Sequence, residues 1–179
     1  MPILVPDSPE FVRLVSGDPR ADLVTIALEI ARDANPGLEF GPYLEQIDLL
    51  ANRVRPRVGR KASVVELLQQ INWVLFVEEG FAGNDEDYQD PRNSYLNEVL
   101  ERKLGIPISL GVLYRAVAER LGQAMWGVNL PAHFVLRTDG EDGLAIYVDA
   151  FHAGRLLDRE GCQLLVAARS GSAVDLTEE

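Results

Sequence analysis

The chain has 179 residues, 47% apolar and 25% charged, proportions of a single soluble globular domain long enough to bury a sizeable core. A formal net charge of −11 works against nucleic acid or an anionic membrane as a partner, because an acidic surface repels phosphate. Cys162 is the one cysteine, so neither an intramolecular disulfide nor a cysteine-based zinc site can be built from this chain alone, which fits a reducing compartment.

The opening residues MPILVPDSPEFVRL carry no basic segment ahead of a long apolar run. No window holds about 18 uncharged apolar residues, so the expectation is a cytoplasmic protein without a membrane span. Residues 8–82 read as a helical region. Ser8 before Pro9, and Asp18 before Pro19, each offer an N-cap oxygen followed by proline at the first helical position, and Gly17 can end the first short helix. Leu23, Ile26, Ala27 and Ile30 repeat at three and four, the stripe of a helix lying against a core. Gly41 and Pro42 open the next helix, with Leu44, Ile47, Leu50 and Ala51 on one face. Ser63 with Glu66 forms a capping box ahead of VVELLQQINWVLFVEEG, closed by Gly80.

The segment GNDEDYQD, residues 83–90, lacks an apolar period and is expected to be a solvated loop; it has neither the glycine nor the closing glutamate of a calcium loop at the right positions. Ser94 is placed to cap a helix running to Leu104 and ended by Gly105. Pro107 begins another whose apolar residues Ile108, Leu110, Val112, Leu113, Val117 and Leu121 cover most of its circumference, predicting near-complete burial up to Gly122. The period then changes. Residues 124–129, 133–137 and 144–149 read as three strands, the last two joined by TDGEDG, and a final helix is expected over 159–168 before a tail that frays.

Three residues stand at the edges of these elements in an order that can carry chemistry: Ser109, His133 and Asp149. Ser109 falls in the first turn of the buried helix, where unpaired N–H groups and the helix dipole favour negative charge; His133 and Asp149 fall on paired strands, where a carboxylate can orient an imidazole. A nucleophile, a base and an orienting acid can be recruited this way. Asn93, Asn97 and Asn129 are candidate oxyanion or cleft donors. Each residue also has a plainer reading: serine as a cap, histidine as a structural hydrogen bonder, Asp149 as the start of a turn, and asparagine as a cap or turn residue. His133, His152 and Asp149 are metal-ligand types, but two histidines 19 apart lack the local spacing of a metal motif, and neither a metal nor another cofactor is expected.

The runs RNSYLNEVLERKLGIPISLGVLYRAVAERLG, GVNLPAHFVLR and YVDAFHAGRLL, densest between Asn93 and Leu157, resemble the bacterial SirB-type family of transglutaminase-like proteins, whose core is also similar to one carried by an F-box protein. The resemblance covers roughly residues 20–168. It implies an α+β fold: a papain/transglutaminase-like core over 93–168, with a nucleophile-position helix packed on a small antiparallel sheet, preceded by the all-helical region over 8–82, the whole of 1–179 forming one domain. In active enzymes of this kind the order is Cys, His, Asp. Ser109 falls at the cysteine, His133 at the histidine and Asp149 at the aspartate, while Ala132 and Ala150 stand where the family often has Gly and Pro. By the same alignment Cys162 is no replacement nucleophile but a small buried hydrophobe.

A thiol is readily ionised beside an imidazole, whereas a hydroxyl must lose its proton during attack. The expected function is therefore a non-catalytic or regulatory module, a pseudoenzyme that binds a protein or peptide. The alternatives are a hydrolase or acyl transferase acting on an amide or ester through a Ser109-His133-Asp149 triad, and a purely structural helical partner module. Oligomeric state is not legible in the sequence.

Overall fold

The computed structural model describes residues 8–18 and 20–170, so the proline at position 19 and the tail over 171–179 lie outside the described residues. Helix α1, Pro9–Val15, starts as expected, with Ser8 Oγ accepting the Phe11 N–H at 3.2 Å. Helix α2, Leu23–Ala34, is capped by Asp22, whose carboxylate accepts the Val24 N–H at 3.0 Å. Asp18 is not the cap; it turns to the Arg20 backbone and guanidinium instead. The buried stripe is Val24, Ile26, Leu28 and Ala31, with Ile30 exposed, a rotation from the face that spacing alone indicates.

Helix α3, Gly41–Val54, buries Ile47, Leu50, Ala51 and Val54. Helix α4, Val64–Asn72, carries the full capping box: Glu66 N–H donates to Ser63 Oγ at 3.2 Å and Ser63 N–H to the Glu66 carboxylate at 2.8 Å. Beyond Asn72 the helix widens into a π-turn, Trp73–Glu78, before Gly80.

The next segment departs most from sequence reading. Strand β1, Ala82–Gly83, pairs in parallel with β2, Leu104–Gly105, a short ladder that hydrophobic periodicity does not announce. Between them, Asp90 caps a 3-10 turn over Pro91–Ser94, and helix α5, Leu96–Arg102, follows Tyr95. Ser94 is therefore inside the 3-10 turn and not a cap. Helix α5 stops at Lys103, in the left-handed region at φ 63°, which frees Leu104 and Gly105 to pair.

Helix α6, Pro107–Arg120, is largely enclosed, as its apolar circumference predicts, except at Ile108, which faces solvent. After it come β3 (Trp126–Leu130), β4 (His133–Asp139), β5 (Ala145–Asp149) and β6 (Arg155–Leu157), antiparallel in that spatial order, then α7, Arg159–Ser170. The fourth strand was not among the expected three. The α+β arrangement of a buried helix on a small antiparallel sheet, after a helical front, is the one the family resemblance implies. Among the described residues no helix is long and apolar enough to cross a membrane.

The alternation of the strands divides the sheet between two cores. Phe134, Leu136, Ile146 and Val148 join α2 to α6 in the larger one. Val135, Tyr147 and Leu157 pack with Cys162 and Val166 of α7 in the smaller one. A buried polar chain ties the helical front to the sheet. The Tyr114 hydroxyl, on α6, donates to Asn72 Oδ1 at 2.9 Å, and Asn72 Nδ2 donates to Gly154 O at 2.7 Å in the turn before β6. Burial holds the Tyr114 phenol well above its ordinary range, so it remains a donor. Gly154 sits at φ 71°, and a β-carbon there would run into the Asn72 amide.

Tyr114→Phe is expected to cost about 1–3 kcal/mol, because it leaves a buried acceptor unpaired, and Gly154→Ala more, because it adds left-handed strain to a collision. Urea unfolding checks this: both midpoints should fall at an unchanged slope, in that order.

Candidate functional site

Asp149 and His133 meet because of strand register. Leu136 faces Val148, so continuing the ladder sets Val135 opposite Asp149 and puts His133 diagonal to it on the same face. His133 Nε2 lies 2.9 Å from Asp149 Oδ1, with both side chains sealed from solvent. The contact is close but poorly aligned. The ring N–H does not point along the line to the oxygen, and neither ring nitrogen makes a directed hydrogen bond.

Asp149 has a second partner that the sequence reading did not assign to it. His152 Nδ1 lies 2.7 Å from Asp149 Oδ2, across the short 3-10 turn Ala150–His152 that Asp149 itself caps. The signal was present as an Asp-x-x-His spacing, which one turn of helix brings together. Burial pushes the Asp149 carboxyl upward, but the imidazoles of His133 and His152 outweigh it, and the net shift is below the ordinary 3.8.

Ser109 is placed differently. Its hydroxyl donates to the Asn93 carbonyl at 2.6 Å, and its oxygen accepts the Ile106 N–H at 3.1 Å. No hydrogen bond joins it to His133 among those of the described residues. Helix α6 packs against the face carrying Phe134 and Leu136, where a β-carbon on Gly111 would press on the Phe134 ring, whereas His133 and Asp149 share the parity of Val135 and Tyr147. The structure thus brings two of the three candidates together and ties the third to a backbone carbonyl.

The asparagines separate as well. Asn93 is wholly buried, and both ends of its amide are taken up by the chain. Its amide nitrogen donates to the Asp87 and Tyr88 carbonyls at 2.7 and 3.3 Å, and its side-chain oxygen accepts from Asn84 at 3.0 Å. Asn97 is buried on α5, and its side-chain oxygen has no hydrogen-bond partner among the described residues. Asn129 alone lines the cleft, on edge strand β3. Cys162 lies in the smaller core, where burial, with the nearby Asp158 and Asp149 carboxylates, pushes its thiol up to about 11. A thiol so protonated is a poor nucleophile.

A cleft of about 540 Å³ opens between the start of α6 and the β3–β4 corner. Ile106, Pro107 and Ile108 form one wall, Asn129 to Phe134 the other, and Tyr88 borders it. The lining is mixed polar and apolar, and Ile108 is 56% exposed. Ala132 makes the corner at φ 58°, a conformation that favours glycine.

Comparison with known proteins places this site in context. Residues 42–179 match the family model described as the Transglutaminase-like superfamily. A UPF0162 protein of Xylella fastidiosa (strain 9a5c) is 39% identical over 157 residues, covering 88% of this chain and 56% of that protein. F-box only protein 21 of Mus musculus is 37% identical over 131 residues, covering 66% of this chain and 21% of that protein. A UPF0162 protein of Vibrio cholerae is 28% identical over 162 residues, covering 87% of this chain and 57% of that protein. The chain thus spans about half the length of the UPF0162 relatives it matches. No solved structure gives a significant match.

Because the folded-state value of Asp149 is depressed, its contribution to stability is present above the ordinary carboxylate value and lost as pH falls through the depressed one. Asp149→Asn should therefore flatten the acid limb of a stability-against-pH curve below about pH 5 while lowering stability at neutral pH, read as urea midpoints. Ala132→Gly should raise stability by about 1 kcal/mol by relieving the left-handed corner, seen as a higher thermal midpoint.

Proposed function

The chain belongs to the transglutaminase-like superfamily, and we propose that it is a non-catalytic member that binds an extended peptide or protein segment in the cleft beside His133. The observation that carries this reading is the Ser109 hydroxyl, donated at 2.6 Å to the Asn93 carbonyl and serving the helix instead of facing a base. A hydroxyl so used has no path for its proton to an imidazole during attack. The cleft beside it remains open to solvent.

Strand β3 supports the mode of binding. It is the outer strand of the four-stranded sheet, so its far edge presents backbone groups that an added strand can pair with. Trp126, Gly127 and Asn129 along it are exposed, and its end runs into the cleft. A peptide paired to β3 would set an apolar side chain against Ile108. Similarity to F-box only protein 21 is in keeping with a protein partner, and the sequence runs quoted above support a SirB-type member of the superfamily.

A second reading, a hydrolase or acyl transferase using Ser109, His133 and Asp149, draws on the His133–Asp149 contact and on Nδ1 of His133, which has no partner. The two readings part in experiment. Peptides selected on the chain from a random library should bind about tenfold or more weakly to Ile108→Asp, and with nearly unchanged affinity to Ser109→Ala. A fluorophosphonate probe should leave Ser109 unlabelled between about pH 6 and 9, where a triad serine would react. Labelling at Ser109 that disappears in His133→Ala would replace the binding reading with the hydrolytic one.

A further inference from the structure

We propose that His133, Asp149 and His152 together form a binding site for a divalent transition-metal ion, with zinc as the ion their donor set suits best. One potential ligand atom from each lies within 4.8 Å of the other two. Zinc holds its donors at about 2.0–2.2 Å, so tetrahedral donors sit roughly 3.3 Å apart. Side-chain movements of up to about 1.5 Å close the difference. Two imidazoles and one carboxylate are a common zinc set, and they leave a coordination position for water or a bound segment.

Three features of the molecule point to an ion. The first is His133. A sealed imidazole whose nitrogens make no directed hydrogen bond is costly to bury, and a metal bond would satisfy one of them. The second is the joining of Asp149 to a histidine on either side, at 2.9 and 2.7 Å, so that the carboxylate already draws both rings to one point. The third is Phe151, whose ring stands edge-on to both imidazoles at 6.3 and 5.2 Å and supplies an apolar wall. Such a wall lowers the local dielectric and strengthens the hold on a cation. His152, with 39% of its side chain exposed, gives an ion an entry from solvent.

The donors come from three places in the fold: the first residue of β4, the last of β5, and the end of the 3-10 turn. A bound ion would therefore fasten the sheet end to the turn before β6. This inference does not rest on the peptide reading. A chain that takes zinc and no peptide, or peptide and no zinc, separates the two.

The test uses the whole chain, stripped with a chelator, dialysed against zinc chloride and assayed for retained metal and for heat of binding. One zinc per chain is expected, with a higher thermal midpoint in its presence. His152→Ala, at a partly exposed position, should keep the fold by circular dichroism and bind zinc at least about tenfold more weakly, losing the thermal gain. His133→Gln should behave likewise, and cobalt(II) should give the visible bands of a four-coordinate nitrogen and oxygen site in the parent chain only. No retained zinc overturns the proposal. So does zinc retained equally by His152→Ala and His133→Gln, which would assign it to the acidic surface.

Discussion

Everything in this fold turns on enclosing helix α6 without stranding its polar side chains. Ser109 and Tyr114 are buried among the apolar residues of that helix. Each finds its partner in a segment that precedes the helix, Ser109 at the Asn93 carbonyl and Tyr114 at Asn72 and the Leu68 carbonyl. Buried hydroxyls without such partners would cost more than their apolar surroundings return. The helical front is thus more than a cover for the sheet; it supplies the acceptors that let α6 sit at the centre.

The same arrangement sets the geometry of the site. The Ser109 proton is directed to a backbone carbonyl of the segment that precedes the helix. Meanwhile the alternation of β4 sends His133 to the face that carries α7, and the imidazole settles on Asp149. The pairing of His133 with Asp149 follows from strand register, whereas the bond from Ser109 to Asn93 follows from how the segment before α6 packs on its first turn. These are independent outcomes, and one does not entail the other.

Much of this was legible in the residues. The capping box at Ser63 and Glu66, the burial of α6 and the His133–Asp149 juxtaposition all follow from local spacing and strand alternation. Other features required partners remote in sequence. The two-residue β1–β2 ladder is too short to have a period, and β6 is only three residues long. Ser94 looks like a cap because its residue type suits one, but Asp90 takes the capping role earlier and Tyr95 begins the helix. The Ser109 bond to Asn93 spans 16 positions and ends on a backbone atom, which no side-chain pattern records. Asn93 itself resembles a site residue because buried clamps and polar site groups draw on the same residue types.

The π-turn over Trp73–Glu78 carries one more implication. In it Glu79 N–H reaches back to the Val74 carbonyl, one residue farther than an α-helix allows, which is how a helix absorbs an extra residue without shifting what lies on either side. Glu78 and Glu79 thereby come round to Arg53, Arg57 and Lys103 while Phe81 enters the core. Removing a single residue from that stretch would rewind it as ordinary helix and rotate its far end by about 100°. The acidic pair would swing off its cations and the aromatic anchor would miss its socket, so length here is as strictly fixed as composition.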